Sequence, residues 1–168
     1  MSLYITADQH WGHRNIIAYC SRPFKSVEEM DKVMIDNWNS VISKNDVVIH
    51  LGDFCLCYNN QQLKELRDNL NGTIFLLLGN HDHPTRLQNF NIFVFDSLYS
   101  EGVNILNNNL IFSHRPLWKI PDGKVNVHGH IHDKPSYGRY LNVSVDVCNF
   151  TPIALEEVIK RAKEISNG

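Results

Sequence analysis

The feature that most limits what this chain can fold into is an alternation of short apolar runs with helical patterns over its first half. Leu3 to Ala7, Val47 to Leu51 and Thr73 to Leu78 are strand-length runs, the third apolar on both faces. Between the first two, Ser26 and Glu29 match a capping box, and Met30, Val33, Met34, Trp38, Val41 and Ile42 then fall on one helical face. Between the second and third, Leu63, Leu66 and Leu70 mark a shorter helix that Asn71-Gly72 ends. Strand, helix, strand, helix, strand requires right-handed crossovers and a mainly parallel sheet.

The second half changes character. Val103 to Leu106, a turn at Asn107-Asn108-Asn109, and Leu110 to Ser113 read as a hairpin. Val125 to His128 and Tyr140 to Val147 add short strands. A last helix is expected from Pro152, capped by Thr151, with Leu155, Val158, Ile159, Ala162 and Ile165 as its apolar stripe. No repeat or linker-like run divides the 168 residues, so the expectation is one α/β domain with more than one sheet.

Polar residues that can bind ligands follow each strand. Asp8-Gln9-His10 follows the first, Gly52-Asp53 the second and Gly79-Asn80-His81-Asp82 the third. His114-Arg115-Pro116 follows the hairpin, and His128-Gly129-His130-Ile131-His132 the next strand. The rim beyond the carboxyl ends of strands is where open α/β sheets build binding sites. Residues two apart in an extended segment point the same way, so Asp8 with His10, and His130 with His132, can each grip one centre. Imidazole, carboxylate and amide oxygen without thiolate suit manganese, iron or zinc. Seven such ligands exceed one tetrahedral ion and match two ions sharing a bridging carboxylate.

Each cluster also has a plainer reading. Asn80 and Asp82 are good turn formers, Gly52-Asp53 can open a helix, and His132-Asp133 can be a solvated pair. What favours a site is the recurrence at five strand ends. Asp8-x-His10, Gly52-Asp53, Gly79-Asn80-His81-Asp82, His114 and Gly129-His130-x-His132 resemble, in order, the five motifs of the calcineurin-like metallophosphoesterase superfamily. The Asp8 to Arg14 stretch and the Asn142 to Pro152 ending further resemble its small, poorly characterised phosphoesterases.

That resemblance implies a two-sheet β-sandwich flanked by helices, as a single phosphoesterase domain over residues 1–168 without a cap domain. It implies Asp8, His10 and His132 on one metal, Asn80, His114 and His130 on the other, and Asp53 bridging them. His81 would be the general acid, contacting the phosphate and protonating the leaving oxygen, and Asp82 would orient its ring. The implied reaction is hydrolysis of a small phosphate mono- or diester by a hydroxide activated between two divalent ions. Manganese is the first choice of metal, with iron, zinc or nickel as alternatives. Asn80, His13, Arg14 and Arg115 are candidate substrate contacts. His50 is expected in the core, His83 capping or exposed, His128 beside a ligand, and Trp11 and Trp118 in the core.

Composition bears on the alternatives. Sixteen Lys+Arg against eighteen Asp+Glu give a net charge of −2, which excludes a protein held to nucleic acid by bulk positive charge. A manganese-dependent nuclease therefore ranks second. A non-catalytic metal-holding module ranks third, because it needs no His81-Asp82 pair. Cys20, Cys55, Cys57 and Cys148 form neither a CxxC pair nor a zinc-finger spacing, and no secretory or membrane-spanning run is found. A cytoplasmic protein with reduced cysteines and no membrane partner is expected. The sequence is silent on oligomeric state.

Overall fold

A computed structural model describes residues 1–56, 59–90, 92–95 and 109–167. Strands β1 (Leu3–Thr6), β2 (Val47–His50), β3 (Thr73–Leu77) and β4 (Ile92–Phe95) run parallel, in the order β4-β3-β2-β1. Strands β5 (Leu110–Ser113), β6 (Val125–His128) and β7 (Tyr140–Asn142) form a second sheet, also parallel. The helices are α1 (Ile16–Tyr19), α2 (Val27–Val41), α3 (Asn60–Asn69), α4 (Pro84–Leu87) and α5 (Leu155–Asn167). The mixed α/β class with two sheets flanked by helices is as expected.

Period-two alternation explains why the first sheet is apolar on both faces. Val48, Ile74 and Leu76 pack against Met30, Met34 and Trp38 of α2 and Leu63 and Leu66 of α3. Their neighbours Ile5, Ile49 and Leu77 face Phe112, Val125 and Val127 of the second sheet, with Val158 and Ala162 of α5 closing that cluster. Ser26 caps α2 by accepting from the Glu29 amide, although Glu29 reaches back to the Lys25 amide rather than to Ser26. Asn59 and Gln62 form a complete capping box on α3.

The structure adds one strand and corrects two expectations. Of the proposed hairpin, Val103 to Asn108 lie outside the described residues, and β5 takes β6 as a parallel partner. Strand β4 was not expected; its Phe93 stacks on Phe75 with ring centroids 5.0 Å apart. The run from Tyr140 stops as a strand at Asn142. Beyond it the Val145 amide bonds to the Ala7 carbonyl and residues Val145–Val147 form a 3-10 turn. The last helix starts late because Ile153–Ala154 first forms β8, antiparallel to β1, covering an otherwise open sheet edge.

Backbone bonds tie together the loops at the carboxyl ends of each sheet's strands. The Asp8, His10 and Trp11 amides bond to the carbonyls of Gly52, Asp53 and Phe54, and the Gly129 amide bonds to His114. No helix among the described residues is long and apolar enough to cross a membrane.

Candidate metal centre

The rim gathers the ligand-type side chains into two groups. Donor atoms of Asp8, His10 and His132 lie within 4.8 Å of one another, as do those of Asp53, His114 and His130. Asn80 joins the second group through its Oδ1, 3.1 Å from His114 Nε2. One atom stands between the groups: Asp53 Oδ2 is 3.4 Å from His10 Nε2 and 3.4 Å from His114 Nε2.

The local backbone that achieves this is not extended. Asp8, His10, Asp53, His130 and His132 all have positive φ, between 53° and 70°. Asp and His tolerate the left-handed region better than most residues, but it remains uncommon and concentrates at functional sites. The alternation argument for His130 and His132 therefore fails, and these two residues serve different groups. Two glycines allow the loops to close this tightly. A Cβ on Gly79 would collide with the amide and Oδ1 of Asp53, and one on Gly129 with Asp8 Oδ2 and Ala7.

Hydrogen bonds fix which atoms are left for a ligand. His114 Nδ1 is 2.8 Å from the Leu51 carbonyl and donates to it, leaving the lone pair on Nε2. His10 Nδ1 lies 3.3 Å from His13 Nδ1, and His132 Nδ1 lies 3.0 Å from Asp146 Oδ2. Asp8 Oδ2 accepts from Ser144 Oγ and from the His130 amide. Asp8 Oδ1 and His10 Nε2 are buried and make no hydrogen bond among the described residues. A buried carboxylate oxygen left bare is costly unless a cation completes it.

Electrostatics point the same way. Burial pushes the Asp8 carboxyl up to about 6 and the His10 and His130 rings down to about 4. Burial also opposes ionisation of Asp53, yet the facing His10 and His114 rings hold its carboxyl well below the usual range. At His114 burial disfavours the charged ring, but Asp53 outweighs it and the pKa rises. At His132 burial is likewise overcome, here by the Asp146 carboxylate. Four acceptor residues at 0–6% exposure, Asp8, His10, Asp53 and His114, two of them with a bare buried atom, fit divalent cations.

The other expected residues separate. His81 is exposed on the open side, 5.4 Å from the His10 ring centroid, and its amide donates to Asp53 Oδ1. His13 is half-buried between His10 and His81. Arg115 is exposed, and its charge is felt at His130. Arg14 is exposed, and its charge is felt at Glu28. Asp82 departs from its expected role. Its Oδ2 accepts from the Asp53 and Gly79 amides and its Oδ1 from Phe54, so the carboxylate ties loops together rather than orienting the His81 ring.

His50 is buried, accepting from the Gly52 amide, and His128 is buried with Nδ1 on the Gly129 carbonyl. His83 is exposed. Trp11 packs against Trp38 and Phe54 as a core residue. Trp118, expected in the core, is fully exposed at 101%. Sequence reasoning missed Asp146, Arg22 and Ser144. The one signal that could have found Asp146 is a lone Asp within an apolar run, a residue rarely buried without a partner.

A sequence model of the calcineurin-like phosphoesterases matches residues 1–162. The chain belongs to the calcineurin-like phosphoesterase family. Membership implies metal-dependent hydrolysis of phosphoesters, and the two donor groups are where such a calcineurin-like phosphoesterase can hold metal. Among its relatives is the uncharacterized protein MJ1445 of Methanocaldococcus jannaschii. It is 35% identical over 170 residues, covering 94% of this chain and 89% of that protein. The gene 66 protein of Mycobacterium phage L5 is 26% identical over 171 residues, covering 83% and 81%. The crystal structure of AQ665 from Aquifex aeolicus, a protein of unknown function, superposes with a TM-score of 0.72. It covers 95% of this chain and 98% of that one at 23% identity, a likeness of fold alone.

Proposed function

We propose that this chain is a dinuclear metallophosphoesterase acting on a small phosphate mono- or diester, as a single domain without a cap. The observation that carries this reading is Asp53 Oδ2, equidistant at 3.4 Å from ring nitrogens of both donor groups. Asp8, His10 and His132 would hold one ion, Asn80, His114 and His130 the other, and Asp53 both. Bound there, two divalent ions supply Lewis-acid activation of water and of the phosphoryl group, with manganese the first choice.

The chain's own residues do the rest. His10 gives Nε2 to the site, so its Nδ1 keeps the proton and donates to His13 Nδ1. The proton of neutral His13 then sits on Nε2, where it is a donor for a phosphate oxygen. His81, exposed beside His13 on the open side, would protonate the leaving oxygen as general acid. Asn80, exposed at the same rim, and Arg115 near His130 complete the donors facing substrate. Arg14, exposed just beyond the chain's first motif, is a further candidate contact.

The test is a panel of phosphate mono- and diesters and DNA, assayed with Mn²⁺, Ni²⁺, Zn²⁺ or Mg²⁺ after chelation, alongside metal analysis of Asp53→Asn. Turnover of small esters and loss of paired ions in the variant support the reading. DNA cleavage at Mn²⁺ concentrations that leave small diesters intact would make it a nuclease. Full two-ion occupancy in Asp53→Asn would remove the bridge.

A further inference from the structure

We propose that Arg22 and Asp146 form a buried clamp that positions the Asp8, His10 and His132 group and sets its metal affinity separately from that of the other group. This rests on the two-ion reading above. The side chains of Arg22 and Asp146 are 0% and 3% exposed, 124 residues apart in sequence.

The guanidinium has five N–H donors and uses all of them. Nε donates to Asp146 Oδ1 at 2.8 Å, and Nη2 to Asp146 Oδ2 at 3.0 Å and to the Asp8 carbonyl at 2.7 Å. Nη1 donates to the Gln9 carbonyl at 2.9 Å and to Met30 Sδ at 3.4 Å. The two carbonyls belong to the left-handed turn that carries Asp8 and His10, so Arg22 holds that turn from below. Asp146 passes the constraint on. Its Oδ2 also takes His132 Nδ1–H at 3.0 Å, which selects the tautomer with a free Nε2 and fixes the ring plane. One saturated guanidinium thus reaches the backbone of Asp8 and of Gln9, the residue between Asp8 and His10, and, through one carboxylate, the side chain of His132.

Cys20, His132 and Asp146 also come within 4.8 Å of one another. A cation there would sit against a guanidinium already bound to both Asp146 oxygens, so that trio is an orienting arrangement and not a further metal site. The second group is built differently. His114 Nδ1 donates to the neutral Leu51 carbonyl, where His132 Nδ1 donates to a carboxylate that the guanidinium holds. The two positions should therefore respond differently when the clamp is cut.

The experiment is titration of chelated protein with Zn²⁺ and with Mn²⁺ by calorimetry, with elemental analysis, for wild type, Asp146→Asn and Arg22→Lys. Asp146→Asn is expected to weaken one of two ions by about 10–100-fold and leave the other unchanged. Circular dichroism checks the fold, and the ¹H–¹⁵N spectrum of the His132 ring is expected to lose its single tautomer. Arg22→Lys keeps the buried charge with fewer donors and should weaken the same ion, which tests the link even where Asp146→Asn does not fold. Folded variants that bind both ions as wild type does, or lose both equally, overturn the clamp. A wild type that takes up one ion overturns the two-ion reading; the clamp then stands or falls on whether Asp146→Asn weakens that ion.

Discussion

Asp82→Asn separates two roles for one residue. If Asp82 served the His81 ring, the change would lower turnover and little else. Its carboxylate instead accepts three backbone amides: Asp53 at 2.7 Å and Gly79 at 2.8 Å on Oδ2, and Phe54 at 2.9 Å on Oδ1. Asparagine keeps one acceptor oxygen and must turn an NH₂ toward at least one of those N–H groups. The loss is a charge-assisted hydrogen bond beside buried Asp53 and Phe54, about 1.5–3 kcal/mol. For a chain of 168 residues each kcal/mol moves the melting point by about 2–4 °C, so the variant should melt about 3–12 °C lower. Because these amides anchor Asp53 and the turn leading to Asn80, metal retention should fall as well. Calorimetric melting of the chelated protein and elemental analysis after reloading measure both. A variant that melts like wild type and holds its metals, yet turns over slowly, would refute this reasoning and return Asp82 to His81.

Three further predictions follow from the site. His81→Ala keeps the backbone amide that binds Asp53, so it should retain metal while turnover drops about 10²–10⁴-fold, most for poor leaving groups; metal loss by elemental analysis would make His81 a ligand. Gly79→Ala places a Cβ on Asp53, an overpacking of about 1–3 kcal/mol, and should cost metal occupancy; an occupancy equal to wild type would contradict the packing. Metal uptake should release protons and tighten as pH rises through about 6, where Asp8, raised by burial, ionises, and onward to about 10, where His132, raised by Asp146 against its burial, loses its proton. The sign reverses for folding of the metal-free chain at Asp8: a raised carboxyl loses stability as pH climbs from the usual carboxylate range through about 6. Titration calorimetry in buffers of different ionisation heat reads the proton count, and zero release near pH 6 would overturn it.

The ligand types were legible because each interrupts an apolar run that can only be a strand, and a polar cluster has no reason to recur there by chance. Their grouping came from the family resemblance and not from spacing. The pairing of His132 with Asp8 rather than with His130 depends on left-handed backbone at both histidines, which no spacing encodes. Asp146 alternates with Val145 and Val147 and so reads as the polar face of a strand, whereas the chain leaves the sheet at Asn142 and turns Asp146 inward. Arg22 sits in a loop before Pro23, and only the fold brings it to a partner 124 residues away. Trp118 shows the limit of hydrophobicity as a guide, since a large apolar side chain says nothing about which loop carries it outward.

The strained turns explain how these separate pieces form one site. A non-glycine residue in the left-handed region costs about 1–2 kcal/mol, and Asp8, His10, Asp53, His130 and His132 all occupy it. None is left to hold its own conformation. The Asp8 carbonyl is taken by Arg22 and its amide by Gly52; the Asp53 amide is taken by Asp82 and its carbonyl by His10; the His130 amide is taken by Asp8 and the His132 carbonyl by Asn142. Each strained residue is thus tied to a different motif, so strain in one turn is opposed by the packing of another. The two hydrophobic clusters, on either side of the first sheet, give those ties a rigid base. The geometry that a cation requires is built by the chain itself, which is why a donor set gathered from five strand ends can converge on one carboxylate oxygen.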